Sequence, residues 1–213
     1  MTRFLLVRHG QSRANLEEVF AGNYDAELTE LGHRQAKLTA EFVVANYQID
    51  AIYSSDLKRA YQTGKHAADV LGLKIQKEPD LREIKAGEWE AMPFEEIAKQ
   101  YGEDYEVWLT DIGNAKCTNG ESVADLAIRV VEAIMRIAKE HPDQTVLITT
   151  HATPIRALEW HISEKDLPYM RDIPWVANAS VTEIHCEKGK LIPVKVSMVE
   201  HLGGCKTALP ANV

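Results

Sequence analysis

Four unbroken apolar positions, Phe4-Leu5-Leu6-Val7, run straight into Arg8-His9-Gly10. A run without polar alternation predicts a strand buried on both faces, as in the interior of a parallel α/β sheet. The stretches at 50–55 and 145–150, apolar through their middles, predict two more such strands. Between them the apolar positions change to helical spacing. Leu31, Gln35, Leu38, Phe42 and Ala45 mark a helix from Glu30 to about Tyr47 behind a Thr29 N-cap. Another helix opens near Ser55 or Asp56 and reaches about Leu71, Pro93 starts one through Gln100, and the stretch 104–112 predicts a further short one. Ser122-Val123-Ala124-Asp125 approximates a capping box, and Val123, Leu126, Val130, Ile134 and Ile137 carry that helix to about His141-Pro142. Thr153-Pro154 reads as an N-cap and first helical position just after His151. Residues 74–78 predict an edge strand stopped by Pro79, and residues 181–187 with 191–197 predict a hairpin about Lys188-Gly189.

Strands alternating with helices predict an α/β fold with a mostly parallel sheet. At 213 residues the chain reads as one domain, 1–213, with the irregular stretch at about 81–120 as a lid or cap inserted between sheet strands. Residues 13–24 lack clean periodicity and predict a loop over the carboxyl end of the first strand. From Met198 the chain is expected to thin out through Gly203-Gly204 to a mobile tail. His33, His66, His141, His161, His185 and His201 read as solvated or helix-end residues.

Charge and cysteine usage remove several function classes. A net charge of −8 argues against work mainly on a nucleic-acid backbone. Cys117, Cys186 and Cys205 are odd in number and far apart, so they read as reduced thiols of a cytoplasmic protein. No signal peptide and no apolar run long enough for a bilayer is apparent, so no membrane partner is expected. The chain reads as a monomer or a homodimer.

The candidate chemistry lies at strand ends. Two interior strands deliver histidines, His9 and His151, at the edge where open α/β sheets bind ligands. Arg8 and Arg59 add cations. Gly10 lets the backbone approach an anion, and the amides of the turn through Ser12 can point at it. Arg59, in the first turn of its helix, opposes the macrodipole, which an anionic ligand would justify. By position alone a surface salt bridge is the plainer reading. Asn15 can reach a substrate oxygen, although alone it reads as an Asx turn. Glu83, near Leu81 and Ile84, is expected to be partly desolvated and so suited to general acid work. Glu88 and Glu90 flank Trp89 and read as exposed. Phe20, Tyr24, Met92 and Trp108 are candidate pocket walls, with Trp160 and Trp175 read as packing. Glu17 and Glu18 at the site mouth would disfavour further anionic groups on a substrate.

Taken in order, Arg8-His9-Gly10 with Asn15, Leu28-Thr29-Glu30-Leu31-Gly32, Ser54-Ser55-Asp56-Leu57-Lys58-Arg59-Ala60 with Thr63, Leu81-Arg82-Glu83-Ile84 with Gly87 and Trp89-Glu90, Gly120-Glu121-Ser122, and Thr150-His151 resemble the histidine phosphatase, or phosphoglycerate mutase-like, family. The resemblance implies a three-layer α/β/α sandwich and a covalent phosphohistidine mechanism. It implies His9 as nucleophile, Arg8, Arg59 and His151 around the phosphoryl oxygens, and Glu83 as the group that protonates the leaving oxygen and later takes a proton from water. Asn15, Gly10, Ser12, Gly22, Tyr24 and Ala152 would form the substrate side. Three positions depart from the family pattern: Ala152 and Ala91 stand where glycine is common, and Ala26 where proline is frequent.

Two histidines and a carboxylate are also a metal-ligand set. Arg8 beside His9, with Arg59 near, would repel a divalent cation, so neither metal nor cofactor is expected. A phospholigand-binding module without catalysis would have no use for Glu83. Within enzymes, hydrolysis competes with mutase transfer. The family's dedicated mutases are typically longer and carry an added basic segment, whereas residues 94–119 hold only Lys99 and Lys116 as cations, outnumbered by carboxylates. The expected function is therefore a phosphatase acting on small phosphorylated metabolites, with phosphoglycerate mutase as the alternative.

Overall fold

The computed structural model describes residues 1–208. Strands β1 (Thr2–Arg8), β2 (Ala51–Ser54), β3 (Ile75–Lys77), β4 (Thr145–Thr150), β5 (Val181–Glu187) and β6 (Lys190–Met198) form one sheet in the order β3-β2-β4-β1-β5-β6. The first four run parallel, β5 pairs antiparallel with β1, and β6 pairs antiparallel with β5. Successive side chains of β1 point to opposite faces. Phe4 and Leu6 enter one core with Val146 and Ile148, while Leu5 and Val7 enter another with Ile52 and Leu147. Both faces are therefore dry, which is why the run is apolar without alternation.

Helices α6 (Val123–Glu140) and α7 (Ala152–Ser163) close the first core through Leu126, Val130, Ile134, Ile155 and Leu158. Helices α4 (Phe94–Gln100) and α5 (Gly102–Thr110) join the same core through Ile97, Tyr105 and Trp108. Helices α2 (Glu30–Asn46) and α3 (Lys58–Leu71) close the second with Ala40, Val43, Ala67 and Ala68. The result is a three-layer α/β/α sandwich with a mostly parallel sheet. Among the described residues, no helix is long and apolar enough to cross a membrane.

Several boundaries differ from the sequence expectation, each for a tertiary reason. The loop after β1 contains a four-residue helix, α1 (Arg13–Leu16), closed by a reciprocal Ser12–Asn15 capping box. Helix α3 begins at Lys58, because the cap comes from far along the chain: the Lys58 amide donates to Asp25 at 2.7 Å. Helix α7 begins at Ala152 with His151 itself as N-cap, which leaves Thr153 and Pro154 as second and third residues. Proline is tolerated there because that amide has no intrahelical partner.

The segment after Met198 does not thin out. His201 stacks on Phe42 with ring centroids 4.7 Å apart, Leu202 is buried, and the Cys205 carbonyl accepts from Gln35. The expected mobile end, residues 209–213, lies outside the described residues. Nor is His185 a solvated or helix-end residue: it sits on β5 with its Nε2 2.8 Å from Glu183.

Ala91 has φ +58°. An L side chain in left-handed backbone costs about 1–2 kcal/mol. Ala91→Gly should therefore stabilise the fold by a net of about 0.5 kcal/mol after the added entropy of the unfolded glycine, read as a higher urea midpoint.

Candidate active site

The parallel register pairs Arg8 with Thr150, and the His9 amide donates to the Thr150 carbonyl at 3.0 Å. The next residues, His9 and His151, therefore leave the sheet side by side, with ring centroids 5.2 Å apart and planes at 63°. Both are buried. His9 Nδ1 lies 2.7 Å from the Gly10 carbonyl, and Arg59 Nε donates to His9 Nε2 at 3.2 Å. A carbonyl only accepts, so the proton sits on Nδ1 and the lone pair on Nε2. Burial, then the charges of Arg59 and Arg8, lower the His9 pKa well below the ordinary histidine value. Burial and the charge of Arg59, with smaller contributions from His9, Arg129 and Arg8, do the same for His151. Its Nε2 is 2.8 Å from the Ser55 hydroxyl, whose oxygen accepts from the Leu57 amide, and its buried Nδ1 has no partner among the described residues.

Arg59 is not the surface salt bridge that its position suggests. Its side chain is fully buried, and its terminal nitrogens donate to the Tyr24 and Gly22 carbonyls at 2.8 and 2.7 Å. The Glu90 carboxylate holds the same loop from its other side, accepting from the amides of Asn23, Tyr24 and Ala86. Glu90 is thus a half-buried fastener, not the exposed group expected. Arg8 donates to the Val176 carbonyl, and its buried Nε has no partner among the described residues. Burial lowers both guanidinium pKa values to about 10, with the charge of Glu83 raising them. Both stay protonated at neutral pH, so the corner holds two buried cations facing one nearby carboxylate.

Glu83 lines the same cleft as His9, Arg8 and Arg59. Its carboxylate accepts from the Ile84 amide at 2.9 Å and from the Thr153 amide at 3.4 Å. Arg129 on α6 fixes this segment, donating to the carbonyls of Asp80, Arg82 and Glu83 while paired with Glu121 at 2.7 Å.

The turn after His9 does not present its amides to a ligand. Gly10 donates to Thr63, Gln11 to Gln35, and Ser12 to Asn15. Asn15 Oδ1 accepts from both Ser12 and Asn178, which leaves the Asn15 Nδ2 facing the cleft it lines. Gly22 and Ala152 also line the cleft, whereas Gly10, Ser12 and the Tyr24 and Met92 side chains do not. Tyr24 contributes only its carbonyl, to Arg59. Sequence reading missed Asn178, which donates to the His9 carbonyl at 3.1 Å and is held in turn by Thr207. It missed Arg129 and the Ser55 contact as well. Asn178 lies in irregular chain before β5, with no periodicity to mark it.

The cleft is open to solvent, with about 640 Å³ of free space counted out into its mouth. Among the described residues, no three His, Cys, Asp or Glu side chains gather to hold a metal ion.

A parallel sheet carrying its ligand corner at the carboxyl edge, closed by helices on both faces, is the architecture of the phosphoglycerate mutase-like α/β enzymes. More narrowly, residues 4–198 match the histidine phosphatase superfamily (branch 1), and the chain belongs to that family. Phosphoserine phosphatase 1 of Hydrogenobacter thermophilus is 34% identical over 203 residues, 95% of each chain. The solved structure of Bacillus stearothermophilus YhfR aligns with a TM-score of 0.90 at 28% identity, covering 95% of this chain and 100% of its own. A mycobacterial glucosyl-3-phosphoglycerate phosphatase in complex with VO3 aligns with a TM-score of 0.85 at 27% identity, over 92% of this chain and 99% of that one. Family and relatives together support phosphatase activity, a hydrolase chemistry, and the phosphohistidine mechanism is general to the superfamily.

Proposed function

We propose that the chain hydrolyses small phosphomonoesters through a covalent phosphohistidine on His9. The observation that carries this reading is the hydrogen bond from Nδ1 to the Gly10 carbonyl, which aims an unprotonated Nε2 at the buried Arg59 guanidinium.

In the first step Nε2 attacks phosphorus and the ester P–O bond breaks. The departing oxygen takes a proton from the Glu83 carboxyl group. Arg59 Nε–H turns from Nε2 to a phosphoryl oxygen, joined by the unpartnered Arg8 Nε–H. Ser55 can donate to His151 Nε2, which leaves the His151 proton on Nδ1 as a further donor. In the second step the Glu83 carboxylate takes a proton from water, the water oxygen attacks phosphorus, and the P–N bond breaks to release phosphate and neutral His9. Fixed positive charge and positioning carry the chemistry, as phosphoryl transfer requires. Residues 81–120 act as the cap that brings Glu83 to this corner.

Hydrolysis is preferred over mutase transfer because, among the described residues, the cleft beyond the two arginines offers no further cation for a second phosphate. The test is to quench turnover of a ³²P-labelled ester in the presence of a chelator. Acid-labile, base-stable label on the protein is the expected result. Glu83→Gln should slow alkyl phosphates by about 10²–10⁴-fold and nitrophenyl phosphate far less, because that leaving group needs no proton. Rapid formation of 2-phosphoglycerate from 3-phosphoglycerate primed with 2,3-bisphosphoglycerate would favour the mutase. Phosphate release abolished by chelator would restore the metal reading.

A further inference from the structure

Beyond the anion corner the cleft is lined by Val19, Phe20, Phe94, Trp108 and Trp175, with Glu18 at the mouth. The rings brace one another. Phe20 meets Trp108 at a centroid distance of 5.1 Å and Phe94 at 6.1 Å, and Trp108 meets Trp175 at 6.4 Å. Trp175 is fixed from behind by Arg156, whose guanidinium carbon lies 4.0 Å from the ring centroid. Arg156 is itself buried and donates to the carbonyls of Met170 and Ile173. Phe20 and Trp108 are buried, while Phe94, Trp175 and Val19 keep part of their apolar surface open to the cleft. Among the described residues, Arg8 and Arg59 are the only cations in the lining and Glu18 has no ion pair.

A carboxylate or second phosphate on the leaving group would be set against aromatic faces and an acidic side chain, losing hydration with the neutral Asn15 amide as a donor but no further cation in the described lining to compensate it. A flat, uncharged ring would instead bury apolar area and meet braced rings in offset or edge contact. We infer that this cleft selects phosphomonoesters whose alcohol bears an aromatic ring and no second anion. The inference rests on the phosphomonoesterase reading above and adds the leaving-group class to it.

The test compares kcat/KM for 2-phenylethyl phosphate, phosphoserine and 3-phosphoglycerate. All three are primary alkyl esters whose leaving oxygens require a proton, so differences report the cleft and not leaving-group reactivity. Burial of one phenyl ring predicts a preference of at least about tenfold for the arylalkyl ester over either carboxylate-bearing one. Phe94→Ala should reduce that preference. Glu18→Lys, a change at an exposed position, should move the ratio several-fold toward 3-phosphoglycerate. Equal or reversed preference with phosphate still released overturns the selectivity and leaves the hydrolase reading standing. No phosphate from any ester, with no label on His9, overturns the hydrolase reading and the selectivity with it.

Discussion

His9→Ala is expected to lower phosphate release from every phosphomonoester by at least about 10⁴-fold and to abolish covalent labelling, with the fold intact by circular dichroism. The size follows from the route. Without Nε2 the path through a P–N bond is lost, and the remaining donors can only polarise a phosphate that water attacks unaided. Retained labelling in His9→Ala would move the nucleophile elsewhere, with His151 as the first residue to replace.

The same imidazole sets an acid limit on the wild-type protein. His9 and His151 are held neutral in the fold at a pH where an unfolded histidine takes up a proton. Below the unfolded value of about 6.5 the unfolded chain binds more protons than the folded one. Stability is therefore complete above that pH and falls as pH drops, with a slope approaching about 1.4 kcal/mol per pH unit for each ring. Urea midpoints measured from pH 7.5 down to 5 should show this slope, and His9→Ala should remove about half of it. Activity should persist into mildly acidic conditions, because a lowered pKa keeps Nε2 unprotonated there.

The strand ends were legible because an unbroken apolar run marks its own boundary. Arg8, His9 and His151 could thus be placed at one sheet edge from local pattern, and parallel pairing of β1 with β4 brought the two rings together. The fate of Arg59 was not legible. Helical position gives spacing, while burial here depends on carbonyls of Gly22 and Tyr24 from a loop more than thirty residues earlier. Asn178 reaches His9 across a separation of 169 residues, from a stretch with no period of its own. Glu90 looked exposed beside Trp89 because nothing local shows that three amides converge on its carboxylate. Position along the chain revealed which groups can react, and long-range hydrogen bonds decided which of them hold the site in shape.

Gly10 shows how that distinction can be measured. Its sequence context suggested a backbone opened for close approach to an anion, yet its amide is spent on Thr63. A Cβ built on Gly10 would lie 2.4 Å from the Gly32 carbonyl oxygen, and one on Gly32 would lie 2.0 Å from the Gln11 carbonyl oxygen. Both obstacles are backbone atoms, so no side chain can swing aside. In Gly10→Ala the turn must lift from α2, weakening the bonds from Gly10 to Thr63, Gln11 to Gln35 and Thr29 to Gln11. Overpacking of about 1–3 kcal/mol together with roughly 1 kcal/mol for each weakened bond predicts a loss of about 3 kcal/mol or more. That is a large share of the about 5–15 kcal/mol available to a folded domain. If the glycine served anion approach instead, Gly10→Ala would leave the urea midpoint near the wild-type value and raise KM alone. A large fall in the midpoint is the expected result, with lower kcat in whatever remains folded, because the carbonyl that fixes the His9 tautomer belongs to the displaced residue.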